Sequence, residues 1–178
     1  MDIALDASVV IKWFKDEDEK YVDFALSIQN EKLQGDFEII VPDLLFHEVL
    51  NTFLTKPGFT RKDISAIKES LIKMNMKVIY PGSKLFEETI NISLKNKLTF
   101  YDALYIAVAD ANDAILYTED MEILSCSKDY GFIRHIKDYT PAKHQNYIPD
   151  PKKMGLKPSR NLDNIQELLS QVEEDSHK

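Results

Sequence analysis

This 178-residue chain has one cysteine and only five glycines, and each shortage removes a class of protein. A lone Cys126 cannot build an internal disulfide framework, and it argues against a thiolate metal cage. The sequence contains no glycine-rich loop of the kind that cradles a nucleotide phosphate. No apolar run approaches the ~18 residues of a membrane span, and nothing like a signal peptide precedes the first strand-like segment. A cytoplasmic protein without a membrane partner is therefore expected. Positive charge is scarce as well: 22 Lys and Arg stand against 30 Asp and Glu, a net charge of −8. That balance argues against broad, non-specific duplex binding through a basic face. It leaves room for a nucleic-acid enzyme whose acidic centre holds metal cations.

With 44% hydrophobic residues, the length suits one domain with a sizeable core. The densest apolar stretch is Ala103–Ala109, which follows Asp102 without a break. Ala-rich and apolar all round, it predicts a helix buried on most sides, with Asp102 in its first turn behind a Thr99 cap. Ile3–Leu5 predicts a buried strand stopping at Asp6, and 37–41 and 76–80 predict two more. Ala114–Tyr117 and Phe132–Ile133 supply a fourth strand and a short fifth. Helices are predicted over 16–35, with Tyr21, Phe24, Ala25 and Ile28 inward, and over 43–55, with Pro42 suited to the first turn. Others are predicted from Thr60, where Asp63 completes a capping box, over 83–97 and over 122–127. Alternating strands and helices predict an α/β protein, a three-layer α/β/α sandwich on a mainly parallel sheet. Past residue 139 the texture changes. The surplus of acidic charge lies before it, and Thr140-Pro141, Pro149-Asp150-Pro151 and Pro158 suggest a strap. An amphipathic helix with Leu162, Ile165, Leu168, Leu169 and Val172 should follow, dividing the chain into a 1–139 domain and a 140–178 extension.

In an open parallel sheet, ligands bind beyond the carboxyl ends of the strands. Asp6 ends the first predicted strand and Asp120 follows the fourth. Asp102 begins a helix at the same edge, and Glu48 lies one to two turns into the helix after Pro42. Capping accounts for Asp6, Asp102 and Asp120 taken singly, and a solvated helix face for Glu48. It does not account for four carboxylates at one edge, where like charges raise each other's pKa. An oxygen-only cluster suits Mg²⁺ or Mn²⁺, and such an ion can assist hydrolysis of a phosphodiester. Lys12, Arg61 and Lys62 are candidates to touch phosphates, with a solvated charge the plainer reading. The four histidines, at 47, 135, 144 and 177, show no ligand spacing.

Asp6 in LDASVVIKWF, Glu48 in VPDLLFHEVLN, Asp102 in TFYDALYIAVA and Asp120 in LYTED resemble, in order and spacing, the four motifs of PIN-domain ribonucleases. The VapC-like toxins of toxin–antitoxin pairs are the nearest likeness, over about residues 1–138. The resemblance implies a PIN-like fold and Mg²⁺- or Mn²⁺-dependent endoribonuclease activity on RNA. It also implies a homodimer and an antitoxin segment laid over the site. Asp6, Glu48, Asp102 and Asp120 would be the catalytic metal ligands. Ser8 and Thr118 would be hydroxyl supports for the carboxylates or for a water at the metal. Glu119 stands beside Asp120 as an alternative fourth ligand, and the Thr-x-Asp pattern points to Asp120. Two readings compete: a PIN-fold scaffold or regulatory binding module without catalysis, and a receiver-like phosphoacceptor domain. The four acidic positions favour the enzyme over the first, and no acidic pair near the first strand supports the second.

Overall fold

The computed structural model describes residues 2–15 and 19–141. The amphipathic helix expected after residue 160, and nearly all of the strap before it, lie outside these residues. Five strands form one sheet: β1 (Ile3–Leu5), β2 (Ile39–Pro42), β3 (Lys77–Ile79), β4 (Ile115–Thr118) and β5 (Ile133–His135). Their order is β3-β2-β1-β4-β5, and every pairing is parallel. Ile3 lies opposite both Ile39 and Ile115, Val41 opposite Val78, and Thr118 opposite His135. Buried on both faces, β1 and β2 carry unbroken apolar runs instead of alternating ones.

Topology assigns the layers. The chain steps from β1 to β2 to β3 in one direction, then crosses back past two strands to β4 and onward to β5. Right-handed crossovers put the helices of the first two steps on one face and those of the last two on the other. The first group is α1 (Ala7–Ile11), α2 (Val22–Gln34), α3 (Leu44–Leu54) and α4 (Arg61–Lys73). The second is α5 (Ser83–Asn96), α6 (Phe100–Ala111) and α7 (Met121–Ser125). Accordingly α6 packs on β1, β2 and β4 and against α5, whereas α3 packs on β2, α1 and α4. The result is the three-layer α/β/α sandwich.

α6 is the helix the sequence pointed to. Thr99 caps it by accepting a hydrogen bond from the Asp102 amide at 3.1 Å, and Ala103 through Ala109 are all buried. At its far end Asp113 takes a positive φ of 51° and the chain turns into β4.

Three local expectations need correcting. The helix expected from residue 16 begins only at Val22. Lys12–Phe14 form a 3-10 turn, Lys15 is extended, and Tyr21 takes a left-handed φ of 65° that no continuous helix allows. Pro42 does not open α3 but closes β2, beyond the residues of β2 that pair with β1. The last strand is shifted to 133–135, where it pairs with β4. Among the described residues no helix is long and apolar enough to cross a membrane.

Candidate active site

β1 is where the chain's direction across the sheet reverses. Its own connection leads to β2 on one side, while β4 lies on the other and leads away to β5. The loops beyond β1 and β4 therefore diverge and leave a crevice at their carboxyl ends. Asp6 follows β1 directly and is only 4% exposed. Its Oδ1 accepts from the Ser8 hydroxyl at 2.6 Å and from the Val9 amide at 3.3 Å, and its Oδ2 accepts from the Thr118 hydroxyl at 2.5 Å. Both hydroxyls also receive main-chain hydrogens from the loop after β4. The Glu119 amide donates to Ser8 Oγ at 3.0 Å and the Asp120 amide to Thr118 Oγ1 at 2.8 Å. Asp6 is thus tied to the β4–α7 loop through both oxygens.

Asp120 begins α7, its Oδ1 accepting from the Glu122 amide at 2.7 Å and the Ile123 amide at 3.1 Å. Asp102 sits in the first turn of α6, its Oδ2 accepting from the Thr99 hydroxyl at 2.6 Å. Glu48, half-buried on α3, accepts a hydrogen bond from the Tyr105 hydroxyl. Tyr105 is three residues beyond Asp102 and so shares its helix face. Its ring reaches from α6 across the end of the sheet to α3.

Electrostatics show that these groups share one neighbourhood. Burial pushes the Asp6 carboxyl up to about 6, against the pull of Ser8, Thr118 and the Val9 amide, and the charge of Asp120 pushes it the same way. Burial also raises Glu48, partly countered by Tyr105, and the charges of Asp102 and Asp120 add to the rise. Tyr105 is driven far above the ordinary phenol range by burial first, then by Glu48 and Asp6. It therefore remains a hydrogen-bond donor at any working pH. Capping is real at Asp6 and Asp120, but capping alone would not put Asp120 within Coulombic range of both Asp6 and Glu48, or Asp102 within range of Glu48.

The donor set fits a hard divalent cation in type and charge: carboxylate oxygens, no soft ligand, and mutual repulsion that a cation would relieve. It is not a finished cage. Among the described residues, no three His, Cys, Asp or Glu side chains stand in position to hold one metal ion. The fit rests on donor chemistry and shared charge, not on preformed coordination.

The remaining sequence candidates part company with this cluster. Lys12 is not at the surface for RNA: it is 1% exposed, with its Nζ 2.6 Å from Glu119 and 3.3 Å from Glu19. It lies in the apolar segment Val9–Phe14, where a cation must bring its counter-charges with it. Arg61 and Lys62 are exposed in the first turn of α4, and none of the hydrogen bonds that join the acidic groups involves them. Glu119 is engaged by Lys12, whereas the charge of Asp120 is the one that acts on Asp6 and Glu48. In the sequence Tyr105 reads as one more residue of the apolar run Ala103–Ala109, and the structure gives its hydroxyl to Glu48. Its signal was available: a buried phenol needs a partner for its hydroxyl.

Replacing Tyr105 by Phe should test that link. With its donor gone, Glu48 should be raised further and need a higher pH to ionise. The carboxyl resonance of Glu48, followed by NMR through a pH series, should then titrate at a higher pH than in the unaltered chain. An unchanged titration would show that the tyrosine only packs.

A family model described as PIN domain matches residues 3–127. Among curated proteins, Exonuclease VapC9 of Pyrobaculum aerophilum is 26% identical over 91 residues, which cover 51% of this chain and 68% of that protein. Among solved structures, the crystal structure of PAE2754 from Pyrobaculum aerophilum aligns with a TM-score of 0.55 at 23% identity. The alignment covers 77% of this chain and 90% of that one, and it shows a shared fold.

Proposed function

Because this chain belongs to the PIN domain family, we propose that it is a Mg²⁺- or Mn²⁺-dependent ribonuclease that hydrolyses internal phosphodiester bonds of RNA, acting as the toxin of a toxin–antitoxin pair. What supports the proposal is the coupling of four carboxylates from separate elements, Asp120 acting on Asp6 and both Asp102 and Asp120 acting on Glu48, with Thr118 and Tyr105 bridging to Asp6 and Glu48. A relative named for exonuclease activity and as a VapC protein supports the nuclease class and the toxin reading. A cleavage-blocking antitoxin segment and a second copy of the chain are the partners this reading expects.

Asp6, Asp102, Asp120 and Glu48 would hold the cation. When bound, Mg²⁺ or Mn²⁺ supplies neutralisation of phosphate charge and acidification of a water. The chain's own part is to keep these carboxylates ionised and aimed. Ser8 and Thr118 each donate to one oxygen of Asp6, which opposes the effect of its burial and fixes the plane of the carboxylate. Tyr105 does the same for Glu48 from across the sheet edge. Asp102 and Asp120 lie at helix N-termini, where exposed amides favour negative charge.

Cleavage of an RNA oligonucleotide should require added Mg²⁺ or Mn²⁺ and stop on chelation with EDTA. It should return when Mn²⁺ is restored in excess. Cutting that persists undiminished in EDTA, with a preparation freed of contaminating nuclease, would remove the metal from the proposal. Internal cuts in a circular RNA would separate endonuclease action from trimming at ends.

A further inference from the structure

Lys12 is the one buried cation among the described residues, and its two partners are both acidic. Its Nζ lies 2.6 Å from Glu119 Oε2 and 3.3 Å from Glu19 Oε1. Glu19 is also held by Lys15 at 2.7 Å, so it has a second cation, whereas for Glu119 the ion pair found is the one with Lys12. Glu119 stands between two residues of the site, Thr118 and Asp120. Its own amide donates to Ser8 Oγ, which in turn donates to Asp6 Oδ1. A fifth carboxylate therefore lies within one residue of the cluster, and it is paired with Lys12 while the charge of Asp120 acts on Asp6 and Glu48. Lys12 is the first residue of the 3-10 turn, which follows α1 directly.

We infer that Lys12 is a positioning residue that draws the Glu119 carboxylate away from the acidic cluster and so leaves Asp120 as the fourth ligand. This rests on the nuclease reading above. Without Lys12, Glu119 becomes an uncompensated anion beside four others. A cation entering the cluster then has a competing ligand next to Asp120, and added negative charge attracts it more strongly. Binding and cleavage should therefore move apart. A variant that merely loosens the fold would lose both together.

The test compares K12M, K12R, E119Q and K12M/E119Q with the unaltered full chain. Mn²⁺ binding is read from the loss of the free-ion paramagnetic resonance signal without RNA, melting is measured in EDTA, and cleavage is measured in Mn²⁺. K12M should bind Mn²⁺ at least as tightly as the unaltered chain yet cleave more slowly by roughly tenfold or more, the scale seen when residues supporting metal ligands are lost. Removing the freed carboxylate in K12M/E119Q should restore most of the cleavage and raise the metal-free melting temperature above that of K12M. K12R, which keeps a donor for Glu119, should cleave faster than K12M. E119Q still accepts a hydrogen from Lys12 and should cut RNA close to normally, an arm that stands even if K12M does not fold. Parallel loss of Mn²⁺ binding and cleavage in K12M, no recovery in the double variant, or collapse of cleavage in E119Q would each overturn the inference. If the unaltered chain cuts no RNA, the nuclease reading falls, while the Mn²⁺ and melting arms still decide the role of Lys12.

Discussion

Asp6→Asn should abolish RNA cleavage and, in the absence of metal, make the protein harder to unfold at neutral pH. The two effects share one cause. Asp6 is buried, and its folded carboxyl titrates at about 6 against 3.8 for an unhindered aspartate. The folded chain therefore holds this proton more tightly than the unfolded chain does. Stability from this group is greatest below about pH 4 and falls as pH rises towards 6, where the buried carboxylate ionises. A separation of that size corresponds to roughly 3 kcal/mol lost at neutral pH. Glu48, also raised by burial, acts in the same direction. An asparagine never ionises; its amide oxygen can still accept from Ser8 and the Val9 amide, and its NH2 can donate to Thr118 once that hydroxyl rotates. Metal-free Asp6→Asn should thus melt several degrees higher at pH 7 and show a flatter dependence of stability between pH 4 and 6. Added Mn²⁺ should raise the melting temperature of the unaltered protein by linkage and leave the variant nearly unmoved. Cleavage should fall by more than about a hundredfold, beyond the loss typical of an outer-shell partner. A variant that melts lower in EDTA and still cuts would reduce Asp6 to the cap of α1.

Asp120→Asn should give the second large effect, with a different signature. The capping oxygen of Asp120 serves two amides of α7, and asparagine caps a helix about as well as aspartate. The lost attraction to the helix dipole, a few tenths to about 1 kcal/mol, is offset by relief of the repulsion Asp120 exerts on Asp6 and Glu48. Stability should therefore change little. Cleavage should again drop by more than about a hundredfold, since under the proposed function Asp120 is a charged ligand of the cation. Asp120→Ala would confuse the two roles by removing the cap as well. A cleavage assay beside a thermal melt separates them: normal cutting by Asp120→Asn would hand the fourth position to a neighbour.

Much of this site could be read in the sequence because its positions are tied to secondary structure. Asp6 ends a run too apolar to be anything but a buried strand. Asp102 precedes seven residues that leave no wet face, so both were legible as junction residues. The edge of the sheet they share followed from strand–helix alternation alone. What stayed hidden were the side chains whose roles depend on a partner far away in sequence. Tyr105 reads as core because most of its ring is core; only its hydroxyl, meeting Glu48 from 57 residues away, does anything else. Lys12 reads as a surface charge because lysines usually are, though Trp13 and Phe14 beside it are buried and marked the segment as interior. The late start of α2 was hidden too, because the left-handed Tyr21 belongs to a residue type that carries no turn signal.

The hydrogen bond from Thr118 to Asp6 joins residues 112 apart in sequence, and that separation bears on when activity can arise. Until residues 115–118 have been made and have paired with β1, the central strand has one open edge and Asp6 lacks the hydroxyl that sets it. Such a long-range pairing forms late, because the entropy of closing the loop must be overcome first. Asp102 and Asp120 likewise become available only towards the end of the described chain. A growing or half-folded molecule therefore carries separate pieces of a nuclease but not the nuclease itself, and cutting power should appear in one step, with the docking of β4.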